Sequence, residues 1–171
     1  MTRIQPALNA TLLLLLLWAC TGAWAQGPGA VKISEPSSLD RQFMARQRAL
    51  LQDLAQRNVG KGFNGSKEND LELLQLLLDR RLVHNDDTRE LQAMGIVMGD
   101  LLATELDLHW VIYEDAVGRS RALRYRDSEE YLFPVTMISR RREADNHTPV
   151  AAIYDKAYAI MATAKPPLPF Q

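Results

Sequence analysis

Arginines dominate the residues able to do chemistry. Arg119, Arg121, Arg124 and Arg126 recur along one stretch, and Arg140-Arg141-Arg142 follows as a block. A guanidinium presents a planar fork that pairs with phosphate or carboxylate. Converging on one surface, the two groups would suit a phospholipid headgroup, a peptidoglycan carboxylate or an acidic protein. Asp127, Glu129, Glu130 and Glu143 are interspersed, and a charge run balanced in this way also reads as an ordinary solvated face. A second set is Glu114-Asp115 with Gly118-Arg119. Paired carboxylates serve acid–base work or hold a cation. A turn in which Asp bonds its own backbone and Gly takes positive φ explains the same residues. Trp110 leads into this stretch, either as a core aromatic or as a ring at a groove rim, stacking on a sugar or peptide.

Other chemistries find little support. His84, His109 and His147 lie far apart without metal-ligand spacing, and Cys20 is the only cysteine, so neither a metal site nor an internal disulfide is expected. Ser120 and Ser139 lack the G-x-S-x-G surroundings of a nucleophile elbow. Gly60-Lys61-Gly62-Phe63-Asn64-Gly65 lacks the G-K-[ST] ending of a phosphate loop and reads as a plain loop. Asn146-His147-Thr148 matches a glycosylation acceptor, relevant only in a eukaryotic secretory pathway. No cofactor is implied, and the formal net charge of −1 gives no reason to expect nucleic acid as a partner.

The elements that must position these residues follow from periodicity. Ser37 and Ser38 cap a first helix running to about Asn58, with Asp40 completing a capping box; Leu39, Phe43, Leu50 and Leu54 make its stripe, widened by Met44 and Leu51. Ser66 or Asn69 caps a second helix reaching about Val83, apolar nearly all round and therefore either central to the core or covered on two sides. Gln75 within it is either a specificity residue or the partner of a loop backbone. A third helix opens at Asn85–Thr88 and ends at Leu106, with Leu91, Met94, Gly95, Met98, Leu102 and Leu106 on one face. Gly95 and Gly99 each cost about 1 kcal/mol relative to Ala there, which a backbone packed unusually close would offset.

The period then drops to two. Trp110–Tyr113, Ala122–Tyr125 and Tyr131–Phe133 read as strands, with turns at 114–118 and 127–130. Pro134 opens a short helix, Val135 to about Arg142. Thr148-Pro149 opens the last helix, with Val150, Ile153, Tyr154, Ala157 and Met161 on one face. The expectation is an α+β single domain over residues 37–164, its helices packed on a three-stranded antiparallel meander.

The N-terminus carries Arg3, an apolar run Leu12–Leu17 and the small-residue site Ala23-Trp24-Ala25, the order of a secretory signal peptide over residues 1–25. Cleavage between Ala25 and Gln26 gives an exported, periplasmic domain. Leu17-Trp18-Ala19-Cys20 also has the rough shape of a lipobox, and lipidation at Cys20 would tether the same domain to a membrane. Residues 26–36 read as a flexible leader and 165–171 as a Pro-rich tail whose P-x-x-P can dock in polyproline form.

Leu74-Gln75-Leu76-Leu77-Leu78-Asp79, Glu90–Gly95, Gly99-Asp100-Leu101-Leu102, Trp110-Val111-Ile112, Glu114-Asp115, Gly118-Arg119, Leu132-Phe133-Pro134, Thr136–Ser139 and Arg141 occur in one order. Together they resemble the bacterial domain-of-unknown-function 3806 family, over about Asp70 to Tyr154. The resemblance implies a compact bacterial domain, often behind an export signal, and transfers no catalytic residue. The function expected is non-enzymatic binding of another exported protein or an anionic envelope component. The alternative is a small periplasmic enzyme or ligand-binding protein with a pocket beside the Trp110 strand.

Overall fold

The structure, a computed structural model, describes residues 30–164. The export signal with Cys20, Ala25 and Gln26, the start of the leader and the Pro-rich tail lie outside the described residues.

Three helices come first, apart from one short strand. The N-cap of α1 (Ser38–Val59) is Ser37, and the capping box is complete: Asp40 N–H donates to Ser37 Oγ while the Asp40 carboxylate accepts from Ser37 N–H. This box also sets which way the helix faces. Asp40 is 3% exposed, and Met44, Gln47, Leu51 and Ala55 follow it inward, whereas Leu39 is 73% exposed. The stripe expected on Leu39, Phe43, Leu50 and Leu54 is therefore rotated. The cause is polar: a buried carboxylate must sit where its partners are.

α2 (Lys67–Asp79) stops before Val83, the end that its apolar pattern suggests. Arg81 turns left-handed (φ 55°), and Leu82 N–H and Val83 N–H donate back to Leu77 O at 2.9 and 3.2 Å. Ser66 stands at the N-cap with its hydroxyl donating to Glu68 rather than capping a backbone N–H, and buried Asp70 closes the preceding glycine loop by accepting from Asn64 and Gly65 N–H, both at 2.9 Å. Gln75 Oε1 accepts from Val150 N–H at 2.9 Å, so its amide serves the start of the last helix.

The most enclosed helix is α3 (Thr88–Leu106), buried on nearly every side between Leu91 and Leu102. Its glycines admit close neighbours. A Cβ on Gly95 would stand 2.4 Å from Pro134 O and 2.6 Å from Val135 O, and one on Gly99 would stand 2.6 Å from the Trp110 ring.

The sheet has four antiparallel strands in the order β1-β2-β3-β4, one more than the sequence pattern suggests. β2 (His109–Glu114) and β3 (Arg119–Arg124) form the hairpin, and β4 (Tyr131–Leu132) continues the meander. The added strand β1 (Lys32–Ser34) pairs Ile33 with Tyr113, inside the segment read as a flexible leader. β2 offers an open edge there, and pairing its backbone is what makes three unremarkable residues a strand. By register, Trp110, Ile112, Leu123 and Leu132 share the face that meets α1 and α3, while Val111, Tyr113, Ser120, Ala122 and Tyr131 share the other. After β4, Pro134–Thr136 forms a 3-10 turn and α4 (Ser139–Glu143) a single further turn, where one helix from Val135 to Arg142 was expected; Met137 N–H bonds to Pro134 O in the tighter spacing. α5 (Val150–Thr163) buries Val150, Ile153, Tyr154, Ala157 and Met161 as its spacing indicates. Tyr154 O–H donates to Glu105, and burial, aided by that carboxylate, pushes its phenol well above the usual range.

Asp40 also ties α1 to the sheet. Arg119 grips it with two N–H groups at 2.6 and 2.9 Å, and Arg121 adds a third at 2.9 Å. The Arg119 hydrogen bonds hold the carboxyl well below the usual carboxylate range. Asp40 thus releases its proton more readily folded than unfolded. Its stabilisation is complete above the unfolded pKa, about 4, and is lost as pH falls towards the folded value. Unfolding measured between about pH 6 and about pH 2 checks this. Asp40→Asn is expected to be less stable by about 3 kcal/mol at the upper end and to lose less on acidification than the wild type. Gly95→Ala gains about 1 kcal/mol of helix propensity. It is nonetheless expected to lose about 1–2 kcal/mol net in denaturant titration, because backbone carbonyls stand where the methyl must go.

Candidate functional site

The β2–β3 hairpin closes on Asp115, whose Oδ1 accepts from Val117 N–H at 2.8 Å and Gly118 N–H at 3.0 Å. Gly118 takes a φ of 151°, which a side chain would oppose. Asp115 is therefore a turn-former, with its Oδ1 accepting two backbone amides. Beside the turn, three aromatic rings meet edge to face: Tyr113 with Tyr131 at 5.0 Å and with Phe133 at 5.3 Å between centroids. Burial pushes the Tyr131 phenol upward from its usual pKa. Between hairpin and 3-10 turn lies a concavity of about 370 Å3, lined by Tyr113, Asp115, Arg119, Phe133 and Arg140, with Ser120 and Thr136 among its polar groups.

The arginines separate by partner. Arg119 and Arg121 hold Asp40, and Arg121 lies 4.1 Å from the centre of the Phe43 ring. Arg124 donates to Ser128 O at 2.6 Å and Asp127 O at 2.7 Å, bracing the turn before β4. Arg126 lies over the Tyr125 ring at 5.2 Å. Arg141 donates to Met137 O at 2.5 Å, and Arg142, 8% exposed, donates to His147 Nδ1. Arg140 is exposed, and among the described residues its side chain has no hydrogen bond or ion pair.

Of the residues singled out in sequence, the concavity brings together Asp115, Arg119 and Arg140. Arg124, Arg141 and Arg142 lie elsewhere, and Glu114 pairs in register with Lys32 and Arg119 without lining it. Trp110 is half-buried at the other end of β2: its Nε1–H donates to Asp100 Oδ1 at 3.0 Å, and Asp100 also takes the Arg48 fork at 2.5 and 2.7 Å. The aromatic trio is what sequence reasoning missed. The signal was present in part, because strand register alone puts Tyr113 and Tyr131 on one face. Among the described residues no group of three or more His, Cys, Asp or Glu is placed to hold a metal ion, and no helix is long and apolar enough to cross a membrane.

Residues 70–154 match a family model described as Domain of unknown function (DUF3806), which takes in most of α2, then α3, the hairpin and Arg140 but not α1 or β1. A crystal structure from Bacteroides thetaiotaomicron VPI-5482 at 1.50 Å resolution is similar in fold, with a TM-score of 0.69 at 18% identity over 77% of this chain. The match takes in 48% of that chain, so this chain spans about half of its length. No curated protein matches.

The partner pattern makes a stability prediction that thermal melts can check. Arg140→Ala is expected to change stability by less than about 0.5 kcal/mol. Arg124→Ala is expected to cost about 1–3 kcal/mol, since it removes charge-assisted bonds to two carbonyls of one turn.

Proposed function

We propose that this chain, which over residues 70–154 resembles the DUF3806 family, is an exported, non-enzymatic module that binds an anionic group of another exported protein or envelope component. The observation that carries the reading is Arg140, a cation with no ion pair among the described residues, on the wall of a concavity that also holds aromatic rings. A guanidinium fork beside ring faces and edges offers charge and apolar contact together, the combination common at the centres of binding sites. Asp115 Oδ1 is engaged by two backbone amides, a turn role that accounts for this residue without acid–base work.

Export rests on the signal-peptide order of residues 1–25. Cleavage after Ala25 yields a periplasmic protein free to diffuse; lipidation at Cys20 yields a membrane-tethered one, and the intact mass of the mature protein separates the two. The volume of about 370 Å3 also suits a small molecule, which favours a ligand-binding protein as the second reading.

Capture from envelope fractions with wild type and Arg140→Ala tests the proposal. The variant, folded to the same extent, is expected to recover the specific partner at least about tenfold less well, the loss typical of a central charged contact. Equal recovery by both would remove Arg140 and its concavity from the account. Loss of a co-purifying small molecule in place of a macromolecule would support the second reading.

A further inference from the structure

Away from the hairpin, a polar cavity of about 510 Å3 lies where the end of α2 and the loop after it meet the link between α4 and α5. Arg142, Arg81, His84, His147, Asn85 and Asp79 contribute to its lining. Arg142 is the anomaly. It is 8% exposed, yet among the described residues no carboxylate lies within ion-pair distance, and its guanidinium has one acceptor, the His147 ring. Arginine keeps its protons, so His147 accepts at Nδ1 and carries its own proton on Nε2, which donates to Asp145 at 2.9 Å.

The nearby acids are engaged elsewhere. Asp79 accepts from the Gln75 amide at 2.8 Å, Asp87 accepts from the His84 backbone N–H at 2.8 Å and lies 3.1 Å from its ring, and Asp145 takes His147 and, at 3.4 Å, Asn85. Burying a guanidinium without a counter-charge is strongly unfavourable unless the site supplies one. Arg119 shows how this fold satisfies an arginine when structure is the purpose: two N–H groups on one buried carboxylate.

We propose that this cavity is a binding site for a small oxyanion, a carboxylate or phosphate, whose oxygens take the remaining N–H groups of Arg142, with Arg81 contributing further donors. It shares no residue with the Arg140 concavity, and the two readings fail separately.

The test is thermal unfolding of the full chain at constant ionic strength in chloride, inorganic phosphate or succinate. Phosphate or succinate is expected to raise Tm by several degrees over chloride, and which of the two acts separates a phosphate from a carboxylate ligand. Arg140→Ala retains the rise. Arg142→Met, which keeps the length of the side chain and removes its N–H groups, loses it. No anion-specific rise in the wild type, or a rise that persists in Arg142→Met, overturns the proposal. Should Arg142→Met fail to fold, Arg81→Ala decides. A weaker response to the effective anion upholds the assignment, and an affinity equal to the wild type overturns it.

Discussion

A carboxylate removed from water must be met by donors, and in this protein Asp40 meets its donors from two directions at once. Ser37 approaches along the chain and closes the cap of α1; Arg119 and Arg121 approach from β3. The helix cannot rotate without pulling Asp40 away from one set. That constraint directs Met44, Gln47, Leu51 and Ala55 into the core and leaves Leu39 in solvent. It also binds two guanidiniums that would otherwise stand as surface cations. Two of the arginines in this stretch thus serve as a fastening of sheet to helix.

The second constraint is how near other groups come to α3. At Gly95 the carbonyls of Pro134 and Val135 occupy the place of a side chain; at Gly99 the Trp110 ring does. Both contacts reach the concavity beside the hairpin. Holding Pro134 against Gly95 fixes Phe133, its neighbour in the chain, and holding Trp110 against Gly99 fixes the start of β2, three residues before Tyr113. The bond from Trp110 to Asp100, shared with Arg48 of α1, secures that start. The edge-to-face meeting of Tyr113 with Phe133 is therefore a consequence of two glycines on a helix that neither ring belongs to.

Much of this was legible in the residues. The stripes of α3 and α5, the Ser37 cap, the Asp115 turn and the need for a close neighbour at Gly95 follow from period, turn chemistry and helix cost. What was not legible has identifiable causes. β1 is three residues long and owes its conformation to the edge of β2, a partner nearly eighty positions away. The buried face of α1 includes Asp40 and Gln47, which any apolar count assigns to solvent. The candidate site suffered most, because one-dimensional spacing shows that arginines are numerous and says nothing of which ones have partners.

The run Arg140-Arg141-Arg142 makes the point sharply. Adjacent residues on a helical turn project about 100° apart, so three in a row cannot form one patch. Arg140 faces solvent at the hairpin concavity, Arg141 folds back on Met137 O, and Arg142 enters the cavity beside His147. α4 is only Ser139–Glu143, and its own hydrogen bonds are few. So short a helix is marginal in isolation and depends on what its side chains hold. Arg141 fastens its start and Arg142 its inner side, and Arg140 is the side chain left over for solvent. The same turn therefore presents one cation outward because the other two hold it in place, which is why a single block in the sequence becomes two separate sites in the fold.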